Sequence, residues 1–200
     1  MRLPQPLEQL IDALADLPSI GPRQATRLAF YLIQRGENSI DALARNFDAM
    51  QKVKICENCF FVHDRPGRRC SICDDPARNA GIIMIIEKET DLLSIENTGK
   101  FAGRYFIIGE IPKTGFLEEG QKLRLQSLKK FIEKDLNGKA EEIILAFNPT
   151  SLGDLQASLL TKEFVSLTKK ISRLERGLPT GGEIEFADDE TLGSALERRS

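Results

Sequence analysis

The stretch Cys56-Glu57-Asn58-Cys59-Phe60-Phe61-Val62-His63-Asp64-Arg65-Pro66-Gly67-Arg68-Arg69-Cys70-Ser71-Ile72-Cys73 holds every cysteine of the 200-residue chain. Its spacing is C-x2-C, ten residues, then C-x2-C. Each C-x2-C turn can present two thiolates to one side of a cation, and two such turns close a tetrahedron with no open position. The pattern therefore points to structural zinc, one ion per chain, on Cys56, Cys59, Cys70 and Cys73. Two disulfides, or a redox pair, are the competing uses of these thiols. A redox C-x2-C normally opens a helix after a strand, whereas this one lies in a loop rich in Arg, Pro and Gly. The opening Met1-Arg2-Leu3-Pro4-Gln5-Pro6 lacks the apolar run of a secretory leader, so a reducing, cytoplasmic setting is expected. His63, the only histidine, reads as a loop residue and not as a ligand.

Upstream of the cysteines the pattern is helical. Leu7, Leu10, Ile11, Leu14 and Leu17 recur at spacings of three and four, which predicts a helix over 7–17. Pro18 ends it by disfavouring helical geometry in the residue before it. A turn, Pro18-Ser19-Ile20-Gly21-Pro22-Arg23, leads into a second helix from Pro22, with Ala25, Leu28, Ala29, Leu32 and Ile33 as its apolar face and Gly36 as its end. A third helix is expected over 39–53, with Ile40, Leu43, Ala44, Phe47 and Met50 on one side.

Downstream, strands and helices alternate. Strands are expected at Gly81–Glu87, Arg104–Gly109, Glu142–Phe147 and 165–172, and helices at 90–98, 120–136 and 153–163. Such alternation predicts a mainly parallel sheet covered by helices. The last stretch, 177–200, opens with a Gly/Pro-rich turn and continues as a strand at Glu183–Phe186 and a short helix from Thr191. Gly177–Gly182 is not a phosphate loop, because Glu183 stands where that motif needs Lys. The divisions expected are 1–53, 54–77, 78–176 and 177–200.

Charge is balanced: 28 Lys and Arg face 30 Asp and Glu, for a net charge of −2. Hydrophobic residues make up 41% and no apolar run, Ile82–Ile86 among them, approaches the ~20 residues of a membrane span. Without a strongly basic segment, any nucleic-acid contact must come from a local patch or from weak patches summed in an oligomer.

One local patch exists. Leu17-Pro18-Ser19-Ile20-Gly21 between two helices resembles the helix-hairpin-helix motif. A hairpin ending at a helix start offers free N–H groups, and the helix dipole favours an anion there. Gly21 lets a backbone approach closely. Arg23 and Arg27, four apart, share one helix face and can reach flanking phosphates. Such contacts position DNA without reading its sequence. A plain helical hairpin with solvated arginines is the alternative.

Residues 79–175 resemble the Toprim domain of topoisomerases and primases. In catalytic Toprim proteins a Glu closes the first strand and an Asp-x-Asp follows a later one, together holding Mg²⁺. Here Glu87 fills the first position, but Asn148-Pro149-Thr150 stands where Asp-x-Asp belongs. Asp154 lies further on, and two carboxylates from separate turns make a weak Mg²⁺ site. Loss of catalysis is expected, with Glu87 either a solvated strand-end carboxylate or a contact to a partner protein. Tyr31 and Tyr105 read as core residues on a helix face and a strand, not as nucleophiles.

Taken in order, the hairpin, the four-cysteine loop, the degraded Toprim segment and Gly177-Leu178-Pro179-Thr180-Gly181-Gly182-Glu183-Ile184-Glu185-Phe186 resemble the RecR recombination mediator family across nearly the whole chain. Asp188 and Thr191-Leu192 extend the likeness. The fold this implies is α+β and multi-module: helix-hairpin-helix, four-cysteine zinc loop, Toprim domain and short tail. The resemblance further implies a non-enzymatic role in DNA repair. In it RecR works with RecO and RecF to help load RecA on single-stranded DNA covered by single-strand-binding protein. It also implies a homo-oligomer, a ring-like tetramer or dimer of dimers around double-stranded DNA, with Arg23, Arg27 and Gly21 at the DNA and Glu87 and Asp91 as partner contacts. The location implied is the bacterial cytoplasm, at the nucleoid. A Mg²⁺-dependent nuclease or primase is the alternative reading. The chain departs from the family pattern at 109–120, where a Ser-Pro-Leu-Asp-Gly-Ile-Gly-Pro-like segment is usual, and at Asp154-Leu155-Gln156, where Glu-Ala-Thr is usual.

Overall fold

A computed structural model describes residues 3–110, 112, 114, 116–175, 177, 178, 180–197 and 199. The chain divides into two compact units, Met1–Val53 and Lys54–Ser200.

The first unit is three helices. Helix α1 (Gln5–Ala15) carries Pro6 in its first turn and buries Leu7. It stops two residues short of the predicted end, because Leu17 precedes a proline. Ser19, at φ +66°, bends the connection, and Ile20 N–H donates to Leu17 O at 3.1 Å. Helix α2 (Pro22–Arg35) has extended Gly21 as its N-cap and buries Ala25 and Ala29. Gly36, at φ +82°, breaks the helix, a conformation that suits glycine. Helix α3 (Glu37–Met50) follows at once and carries no buried residue. Its apolar side is open: Phe47 is 67% and Met50 65% exposed. Tyr31 departs from the core placement expected for it. It is exposed on α2, where Arg35 Nη1 donates to its hydroxyl at 3.0 Å.

The second unit opens with a two-stranded antiparallel ribbon, β1 (Lys54–Ile55) with β2 (Val62–His63), and a one-turn helix α4 (Ser71–Asp74). A four-stranded parallel sheet follows, built from β3 (Asn79–Ile86), β4 (Gly103–Ile107), β5 (Glu142–Ala146) and β6 (Ile171–Arg173), in the order β4-β3-β5-β6. Alternation along β3 sorts the core into two layers. Ile83 and Ile85 pack with Phe106, Ile143 and Leu145 against helices α6 (Glu119–Asp135) and α7 (Ser151–Phe164), through Leu128, Ile132, Leu160 and Phe164. Met84 and Ile86 pack with Tyr105 and Ile107 against Leu92 of helix α5 (Glu89–Glu96).

Arg78, at the end of the cysteine loop, is tied to this sheet. Its guanidinium pairs with Glu96 and donates to Gly103 O at 3.2 Å, and Tyr105 Oη donates to Glu96 Oε2 at 2.8 Å. Thus Tyr105 is in the core, as its strand position predicts.

Two expected strands are corrected. Residues 165–172 are strand only from Ile171, because α7 ends at Phe164 in a turn, closed by Leu167 N–H on Phe164 O at 2.9 Å, that delays the strand. In between, Thr168 bridges Ala140. Glu183–Phe186 is not a strand. Ile184–Phe186 forms a single 3-10 turn with Phe186 80% exposed, followed by helix α8 (Asp189–Glu197). No described helix is long and apolar enough to cross a membrane.

Candidate metal centre and nucleic-acid interface

The four sulfurs converge. Cys56 follows β1, and a tight turn (Phe60 N–H to Cys56 O, 3.0 Å) brings Cys59 beside it. Cys70 caps α4 and Cys73 lies within it. Glu57 N–H donates to Arg68 O at 3.0 Å, which joins the first turn to the loop before Cys70. All four ligand atoms lie within 4.8 Å of one another, the residues are buried, and none is in a disulfide. Sulfurs at the zinc–thiolate bond length of about 2.3 Å from a tetrahedral centre sit about 3.8 Å apart. Here Cys59 Sγ and Cys70 Sγ are 3.5 Å apart, and Cys70 N–H donates to Cys56 Sγ at 3.4 Å. The cluster can hold one metal ion in a closed shell. Hydrogen bonds from Cys59, Cys70 and Cys73 hold the Cys56 thiol far below its ordinary value, while contact with Cys56 and burial push Cys59 and Cys73 up. Cys70 is lowered as well, and a cation is what lets all four thiols ionise together.

His63 is not among the clustered ligands. It is not in a loop either: it ends β2, is buried, and neither ring nitrogen has a hydrogen-bond partner.

In the helical unit, Arg23 and Arg27 are both exposed on the first two turns of α2. No side chain caps that helix start, and Pro22 has no N–H to satisfy. A Cβ on Gly21 would meet no atom of the described residues within 4 Å, so none of them demands glycine there.

On the sheet, Glu87 follows β3 and Asn148 follows β5, at adjacent carboxyl ends of the central strands. Asn148 Nδ2 donates to Glu87 Oε2 at 2.9 Å. Thr150 caps α7, its hydroxyl accepting from Gly153 N–H at 3.1 Å. Asp154 is held by Arg173 Nη2 at 2.6 Å. Asp91 accepts from Lys88 N–H at 3.0 Å, which satisfies one free donor at the start of α5. Beyond them lies an open groove of about 380 Å³ whose lining includes Asp91, Asn148, Pro149, Arg173 and Glu175. Such a groove, where the strand order reverses, is where open parallel sheets place their sites. Spacing pointed to Glu87, Asn148 and Asp154. It gave no hint of Arg173, which arrives from a strand distant in sequence. Where a catalytic Toprim site gathers three carboxylates, this one pairs one carboxylate with an amide and another with a guanidinium.

A helix-hairpin-helix unit followed by a Toprim sheet defines a class of protein built to handle nucleic acid. Family models match in that order: "RecR, helix-hairpin-helix" over 7–50, "Toprim domain" over 81–175 and "RecR, C-terminal" over 177–200. Curated relatives include "Recombination protein RecR" of Syntrophomonas wolfei, 40% identical over 200 residues, covering 100% of this chain and 98% of the relative. The protein of that name from Chloroflexus aurantiacus is 39% identical over 197 residues, covering 97% of this chain and 93% of the relative. That of Leifsonia xyli is 34% identical over 196 residues, covering 96% of each. The chain belongs to the RecR family.

Proposed function

We propose that this protein is a recombination mediator of DNA repair that binds DNA without sequence preference and performs no catalysis. The observation that carries the reading is the start of α2: exposed Arg23 and Arg27 beside an uncapped helix N-terminus, with open space at Gly21. A phosphate backbone fits that arrangement. A non-catalytic role is supported by the pairing of Glu87 with Asn148 and of Asp154 with Arg173; among the described residues no three carboxylates converge as a Mg²⁺ site of this kind needs.

The work divides along the chain: residues 1–53 hold DNA, 54–77 fold around zinc, 78–176 present Glu87 and Asp91 to partners, and 177–200 contact a neighbouring subunit. The partners are RecO and RecF, and the outcome is RecA loaded on single-stranded DNA coated by single-strand-binding protein, in the bacterial cytoplasm at the nucleoid. Assembly of several copies, as a tetramer or dimer of dimers, is supported by the uncovered apolar side of α3 and by exposed Ile184 and Phe186 in the tail. It also answers the balanced charge, because several modest patches sum around one duplex.

The test is fluorescence anisotropy of labelled duplex and single-stranded DNA, in Mg²⁺ at two salt concentrations, with Arg23→Ala/Arg27→Ala beside wild type. Salt-sensitive binding, weakened in the variant with the DNA intact, is expected. No binding by wild type would sink the DNA reading, and cut or relaxed DNA would replace it with a Mg²⁺-dependent Toprim enzyme.

A further inference from the structure

Phe60 is a bulky residue at φ +64°, in the left-handed region that costs a side chain about 1–2 kcal/mol. Immediately after the second cysteine of a C-x2-C turn, glycine would adopt this backbone freely. The strain is held by what the ring touches. It stands edge-on to Phe106 of β4 (centroids 5.4 Å apart, planes at 90°), and the Arg124 guanidinium carbon lies 4.6 Å from its centroid. It packs against both core layers of the sheet.

The same point of contact is bonded through the main chain. Ile107 N–H, on the outer side of β4, donates to Cys59 O at 2.9 Å, and Arg124 Nη1 donates to Ile107 O at 3.0 Å. Two residues on, Gly109 N–H donates to Glu87 O at 3.1 Å. Gln121, one helical turn before Arg124, donates to Gly109 O at 3.2 Å and Glu110 O at 3.0 Å. Glu110 in turn pairs with Lys88 at 3.3 Å. A contiguous set of bonds thus runs from a cysteine of the cluster, along the end of β4, to Glu87, which accepts from the groove residue Asn148.

We infer that Phe60 and Arg124 are positioning residues that transmit the state of the four-cysteine centre to the sheet face around Glu87. Resting on the reading that the cluster holds zinc, this makes the metal more than a staple for its own loop. An ordered Cys59 turn fixes Phe60 and the carbonyl that Ile107 needs, and these fix Gly109 and the backbone of Glu87. Loss of the ion releases Cys59 first and the Glu87 face with it, while the sheet as far as Ile85 stays paired.

Hydrogen exchange followed by mass spectrometry tests this, with metal content measured on the same samples. Four proteins are compared: zinc-loaded, chelator-stripped, Phe60→Gly and Arg124→Met, each checked for fold by circular dichroism. Glycine suits φ +64° and leaves the cysteines in place, so Phe60→Gly is expected to keep one zinc per chain. Amides of Ile107 and Gly109 are expected to exchange at least about tenfold faster in the stripped protein and in both variants, while Met84 and Ile85 keep their protection. Should Phe60→Gly lose its zinc, Arg124→Met, which leaves the loop untouched, decides. Normal zinc content with unchanged exchange at Ile107 and Gly109 in the variants overturns the relay. A wild type that takes up no zinc overturns the metal reading instead, and the two variants still report on the mechanical link.

Discussion

Gly153 shows how one missing carbon sets the shape of the groove. A Cβ there would lie 2.1 Å from Asn148 O, a distance no packing tolerates. In an ordinary helix, Gly→Ala gains about 1 kcal/mol. Here the clash wins, and Gly153→Ala is expected to destabilise by about 1–3 kcal/mol in urea unfolding, the usual cost of overpacking. Tyr105 makes a second prediction. Burial, and then its hydrogen bond to Glu96, push its hydroxyl above the ordinary phenol value. A raised acid keeps its proton in the folded state after the unfolded chain has lost it. Its stabilisation is therefore complete below about pH 10 and falls away as pH rises further. Thermal melts across pH 8–11 should show a decline whose upper part is shallower in Tyr105→Phe, and equal slopes would refute the assignment.

At the scale of elements, α3 is the piece that the rest of its unit does not explain. Its apolar residues Ile40, Leu43, Phe47 and Met50 fall on one helix face, yet none is buried. An apolar stripe of this size seeks a partner. Light scattering after gel filtration should find Phe47→Glu at lower mass than wild type, with helicity unchanged; an unchanged mass would remove α3 from the assembly. The elements also show what could be read in advance. Helices α1 and α2 and strands β3, β4 and β5 announce themselves by period, because each buries a regular face. The end of α7 is legible to within one residue; the turn after it, closed by Leu167 N–H on Phe164 O, is not, since its residues carry a pattern that also allows a strand. The 3-10 turn at Ile184–Phe186 has the alternation of a strand, but its apolar residues find no sheet edge among the described residues. At the site, residue spacing was enough for the cysteine cluster and for Glu87 and Asn148, which lie beside motifs. It could not find Arg173 or Phe60, whose roles come from contacts across the fold and from a backbone angle.

For the whole molecule, the cysteine loop is both a module and a seam. It seals the outer side of β4 through Cys59 and Ile107, and Arg78 at its exit binds α5 and β4 together. An unsealed edge strand invites pairing with other chains. On the reading that the cluster holds zinc, stripping the ion with a chelator, or replacing Cys70 with Ser, should lower the melting temperature of the second unit by several degrees, roughly 2–4 °C for each kcal/mol lost in a domain of about 150 residues. Calorimetry should place that change in the sheet-bearing unit alone and leave the helical unit's transition where it was.

The central place of β3 has a consequence for biosynthesis. As the chain leaves the ribosome, β3 first meets α5 and β4, its neighbours in sequence, and these can close one flank of the strand early. Its other flank must wait for β5, which pairs Ile82 with Glu142 and Ile86 with Ala146 after the whole of α6 has emerged. Until then Ile83 and Ile85 lack α7 and half of their layer. Assembly of this protein is therefore paced by a late, distant pairing, and the nascent chain between those two events is the form most in need of a chaperone.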